Sequence, residues 1–131
     1  MADLPFSTVR AETQPIDPAP DGSEVRPLLR LRGGSMARFR LTAGAVTRAV
    51  RHRTVEELWY VVHGRGELWR RQGAHSDVVA LEAGVAVSIP VGTDFQFRAD
   101  TQQDLTIVAV TMPPWPDAEE AEIIEGIWPA P

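Results

Sequence analysis

The chain is 131 residues long with 44% hydrophobic and 24% charged residues, enough for one soluble domain with a real core. Its net charge of -5, carried against arginines alone with no lysine, argues against a protein that grips nucleic-acid backbones. No run approaches the ~20 apolar residues of a membrane span, and the absence of cysteine removes disulfides and thiolate metal sites, so a cytoplasmic protein is expected.

Residues 1–25 read as an extended arm. Pro5, Pro15, Pro18 and Pro20 stand among Asp, Glu, Ser and Thr without apolar periodicity. The first residues lack a basic segment followed by an apolar one, so no signal peptide is expected.

From residue 26 to 112 the texture is that of strands. Pro27 to Leu31, Met36 to Leu41, Val46 to Arg53 and Glu57 to Val62 are separated by Gly33-Gly34, Gly44 and turn residues. Glu67 to Arg71, Asp77 to Leu81, Val85 to Ile89, Phe95 to Arg98 and Leu105 to Thr111 follow, again with glycine between most of them. Many short strands with turn signals every ~8–12 residues predict an all-β sandwich or barrel. No window sustains the apolar spacing of an amphipathic helix.

Residues 113–131 form a tail rich in Pro, Trp and acid. Asp117 is placed to cap a short helix and Gly126 to end it. Trp115 and Trp128 flank that piece, and large aromatics in a tail imply docking on the barrel or on a partner chain.

The stretch from Gly44 to Gly64, with His52, four intervening residues, Glu57 and then six residues to Gly64, resembles the first motif of the cupin family. Gly84, five residues, Pro90-Val91-Gly92 and then Phe95 resemble the second. The resemblance covers residues 44–95 directly and about 31–112 with flanking strands. It implies a double-stranded β-helix, a jelly-roll-like barrel, with the arm and a short helical tail attached. It also implies a homodimer.

In that family three histidines and a glutamate converge inside the barrel on a divalent transition metal. Here Val50 holds the first histidine position and Phe95 the last, so only His52 and Glu57 keep ligand types. Two protein ligands are fewer than the three that catalytic zinc sites keep. The expectation is therefore no cofactor, or a weakly held Mn, Fe, Ni, Cu or Zn on His52 and Glu57. Thr54 is a poor ligand, Asp94 should face away from Phe95, and His63 and His75 lie in a turn and a loop.

His52 and Glu57 read either as a hydrogen-bonded pair left in the barrel, or as an acid–base dyad or polar clamp. Alternation from Glu57 turns Trp59 and Val61 inward and Leu58, Tyr60 and Val62 outward. Phe95 and Phe97 share a face with Val50 nearby, which makes an aromatic and aliphatic interior that is either a packed core or a pocket. Arg40 and Arg48 are placed where they could reach the rim and meet an anionic ligand. Three functions follow: a small-molecule-binding cupin; an isomerase, epimerase or dioxygenase working through His52 and Glu57; or an interaction protein with a filled barrel.

Overall fold

Turn residues cut the described part of the chain, residues 4–130 of this computed structural model, into eleven strands. The first three residues of the expected arm and the last residue of the expected tail lie outside it. The strands are β1 (Asp17–Pro18), β2 (Glu24–Arg30), β3 (Ser35–Leu41), β4 (Val50–His52), β5 (Glu56–His63) and β6 (Arg65–Gln72). β7 (His75–Glu82), β8 (Ala86–Ile89), β9 (Asp94–Ala99), β10 (Leu105–Met112) and β11 (Ala121–Ile123) complete the set. One sheet has the order β1-β2-β3-β10-β5-β8 and the other β11-β4-β9-β6-β7, and neighbours pair antiparallel. Among the described residues no helix is long and apolar enough to cross a membrane.

The two sheets face each other through the residues that alternation selects. On β5, Glu57, Trp59 and Val61 are buried, whereas Leu58, Tyr60 and Val62 are exposed. Period-2 alternation follows from the pleat, which sends successive side chains to opposite faces. The core joins Leu41, Val61, Leu68, Phe97, Leu105 and Ile107, so part of the interior is filled by hydrocarbon. At the β5–β6 turn, Gly64 has φ +87°, and a Cβ there would lie 1.8 Å from the Asp104 carbonyl oxygen. Only glycine fits that position.

Strand formation between residues 46 and 53 is shorter than the composition predicts, because Thr47 intervenes. Its Oγ1 donates to Phe97 O at 3.0 Å and accepts from Phe97 N at 3.1 Å, so a side chain supplies bonds that a ladder would otherwise make. His75, expected in a loop, begins β7 opposite Gln72, and His63 ends β5; both are exposed.

Arm and tail both return to the barrel. β1 pairs with β2, Arg26 Nη1 donates to Gln14 O at 2.6 Å, and Arg38 pairs with Glu12 at 3.2 Å. In the tail the expected helix is a single 3₁₀ turn, Ala118–Glu120, capped by Asp117, after which β11 pairs with β4. The turn stops there because Glu120 is drawn inward: its carboxylate accepts bonds from Thr54 N, Thr54 Oγ1 and Val55 N. Gly126 does not end a helix. It lets the chain pass over Gln96, whose Oε1 accepts from Ile127 N and Trp128 N at 3.0 Å each. Arg98 lies over the Trp128 ring at 4.2 Å. β9 is thus covered on its outer side as well, which explains why polar Asp94 and Gln96 are as buried as Phe95 and Phe97.

Candidate functional site

β4 and β9 run side by side with Val50 opposite Phe95 and Arg51 opposite Asp94. The inward pair is apolar and the outward pair ionic. Asp94 binds Arg51 at 2.6 Å and Arg71 at 2.8 Å on the outer face, away from the barrel interior. Burial alone would raise the Asp94 pKa, but these two guanidinium groups outweigh it and hold the carboxyl below its ordinary value.

Two residues beyond Val50, His52 points inward at the end of β4. Phe95 and Trp115 meet its ring edge-on, each with centroids 5.1 Å away. Glu57, from β5, sits beside it with Oε2 3.0 Å from Nδ1, and the two side chains are only 7% and 2% exposed. The contact is close but not aligned as a hydrogen bond, and Nδ1 is buried without another partner among the described residues. Glu57 Oε1 accepts from Trp59 Nε1 at 3.3 Å. Trp59 in turn packs edge-on against Phe39, Phe95 and Phe97, at 5.8, 5.7 and 5.0 Å.

These groups form the inner wall of a cavity of about 570 Å³. That volume is in the range of small-molecule sites. His52, Glu57, Trp59, Val50 and Phe95 all line it. Phe97 does not; it lies one layer deeper, behind Trp59, in the packed core. Arg40 is a correction. Phe39 faces inward on β3, so its neighbour Arg40 faces out, where it pairs with Asp104 at 2.5 Å.

The other walls come from segments that carry no periodic signal. The arm contributes Pro18, Pro20 and Asp21, and the tail contributes Trp115 and Pro116. Trp115 is held by its backbone, since its N donates to Ser35 Oγ at 3.0 Å and its O accepts from Arg30 at 3.0 Å. Asp21 is the functional group that sequence reading misses. In the string Asp21-Gly22-Ser23 it has the signature of a turn, and Asp21 Oδ1 does accept from Ser23 N and Oγ at 2.9 and 2.7 Å. The same carboxyl faces the cavity, where burial pushes its pKa above the ordinary value. Glu57 adds to the rise, while Ser23 and His52 oppose it.

A metal does not suit this donor set. Val50 and Phe95 place hydrocarbon where two imidazoles would converge, and His52 and Glu57 are turned toward each other. No group of three His, Cys, Asp or Glu side chains that could hold an ion occurs among the described residues. The pair is a carboxyl and an imidazole in close contact, set against Phe95, Trp59 and Trp115.

The family model described as a cupin domain matches residues 37–111. No curated protein matches the chain in sequence. Among solved structures, the chain is similar to KdgF from Halomonas sp., at 17% identity over 83% of this chain and 94% of that one, TM-score 0.71. It is similar to the Streptomyces nucleoside dehydratase Pac13, solved with uridine, at 13% identity over 95% of each chain, TM-score 0.74. It also resembles Bacillus subtilis oxalate decarboxylase, at 14% identity over 93% of this chain but 34% of that one, TM-score 0.74. At such identities the likeness is one of fold, and the fold hosts unrelated chemistries.

Proposed function

The chain belongs to the cupin family, and from that premise we propose that it binds a small organic molecule in the barrel cavity, with His52 and Glu57 as the polar end of the site. The observation that carries this is the buried pair, 3.0 Å apart, beside an aromatic cavity of about 570 Å³. A pair kept only for stability is an unfavourable use of a core position, because removing two ionisable groups from water costs several kcal/mol unless further bonds compensate. The poorly aligned Nδ1 shows that such compensation is incomplete here. A ligand that inserts its own polar group completes it.

A second reading is proton-transfer catalysis at the same pair. In it Glu57 removes a proton from a bound carbonyl compound and His52 returns one, the chemistry of an isomerase or epimerase. Their placement supports it, since a carboxyl and an imidazole in close contact at a cavity wall can act as base and acid on a bound molecule. Structural neighbours that are enzymes agree with this reading but carry no substrate to it. The proposal includes a homodimer, supported by the exposed apolar side chains Leu58, Tyr60 and Val62 on the outer face of β5. Sedimentation at micromolar concentration tests that part.

Native mass spectrometry of the protein taken directly from cells tests the binding reading. A bound mass that disappears in His52→Ala, with the strand signal in circular dichroism retained, is the expected result. A bare chain mass, together with cavity NMR signals that no small-ring probe moves, would overturn it.

A further inference from the structure

We infer that the cavity selects its ligand by charge: it accepts a ring-sized organic molecule that is uncharged or cationic and carries N–H donors, and it turns away carboxylates and phosphates. The inference rests on the reading that the cavity binds a small molecule, and it narrows the class.

Among the described lining residues the carboxyl groups are Asp17, Asp21, Glu57 and Asp117, against one guanidinium, Arg30. Asp17 and Asp117 are exposed at the rim, while Glu57 is buried within. Arg30 is exposed, and its Nη1 is already engaged by the Trp115 carbonyl. Three further arginines are paired away from the cavity. Arg40 pairs with Asp104 outside the barrel, and Arg51 and Arg71 share Asp94 on the outer face of the second sheet. Recognition of carboxylate or phosphate relies on a fork of guanidinium donors, and the one guanidinium in the described lining, Arg30, is exposed with one donor already on the Trp115 carbonyl.

Hydrogen-bonding capacity points the same way. Glu57 Oε1 takes one long bond of 3.3 Å, although a carboxylate has about four lone-pair sites. His52, buried and lining the cavity, has an Nδ1 with no aligned partner. The spare capacity on Glu57 is for donors. Trp59, Phe95 and Trp115 line the same space, and aromatic faces attract cations while acids neutralise them. Apolar rings with convergent carboxyls are complementary to an amidine, an amine or an amide on a flat ring.

Three probes of one size separate the possibilities: benzamidine, benzamide and benzoate, titrated into the full chain by NMR. Benzamidine and benzamide are expected to shift cavity signals saturably, with benzamidine binding about tenfold or more tightly than benzoate, as a few carboxyl charges near a partly buried ligand allow. The rim variant Asp17→Asn/Asp117→Asn should shrink that ratio severalfold without affecting the fold, because both residues are exposed and Asn can still accept the capping bond from Glu119 N. Benzoate binding as tightly as benzamidine would overturn the charge selection alone. If none of the three binds, the cavity reading itself falls.

Discussion

Val50 and Phe95 stand directly opposite one another across β4 and β9, at the two positions where the cupin motifs carry histidine. Their contact replaces two convergent imidazoles with hydrocarbon. His52, whose ring lies 5.1 Å from that of Phe95, keeps Glu57 beside it at 3.0 Å. Two of the four ligand positions that the cupin resemblance implies therefore carry no donor side chain.

Reinstating those donors should therefore reinstate the centre. Val50→His/Phe95→His is expected to bind Zn or Ni with near-stoichiometric occupancy in elemental analysis, and the natural sequence to bind far less. Without metal the variant should lose about 1–3 kcal/mol of stability, since two buried imidazoles would lack partners. Adding the metal should recover that loss in a thermal melt.

Breaking the His52–Glu57 pair on one side should be worse than breaking it on both. His52→Ala leaves a 2%-exposed carboxylate without its neighbour, at a cost of about 3–5 kcal/mol. His52→Ala/Glu57→Gln removes the stranded charge and should be the more stable of the two in urea denaturation. Equal stability would mean that the pair interacts weakly despite its 3.0 Å separation.

Glu120 is expected to be the pin that holds the tail. It is 5% exposed and accepts from Thr54 N and Oγ1 and from Val55 N. Burial alone would raise its pKa, but these bonds outweigh burial and keep it below 4.5. An acid with a lowered folded pKa contributes stability that is fully present above its unfolded value and is lost as pH falls through the folded one. Glu120→Ala should cost about 2–4 kcal/mol at neutral pH. The loss should shrink as the pH falls below 4.5, read from chemical denaturation across pH.

Asp21 should behave in the opposite sense. Burial raises its carboxyl pKa above 3.8, so the unfolded chain releases the proton first as pH rises. Its contribution is then most favourable at low pH and falls as pH climbs from 3.8 through the raised folded value. Asp21→Asn can keep the bonds from Ser23, so it should match or exceed the parent in thermal midpoint at pH 7 and lose that advantage near pH 4.

The barrel was legible because its signals are local. Glycines mark the turns, alternation along β5 separates Trp59 and Val61 from Leu58 and Tyr60, and the motif spacing puts His52 beside Glu57. Arg40 is close enough in sequence to reach the rim but lies on the wrong face: Phe39 turns inward, so its neighbour on the strand must turn out. Most of what closes the cavity is long-range and leaves no local pattern. Trp115 reaches His52 from the tail and Asp21 arrives from a proline-rich arm. Glu120, one acid among several in its segment, looks no different in sequence from Glu119, yet it alone is buried.

Binding of a small molecule in the cavity without help from a metal is read most directly from the indole N–H signals of Trp59 and Trp115, which line it. Benzamide titrated into chelator-treated protein should move both signals saturably, with the same affinity in the presence and absence of added divalent ions, and should fail to do so in a His52→Ala variant that remains folded. Indole signals that stay fixed, or that move only once a divalent ion is supplied, would contradict it.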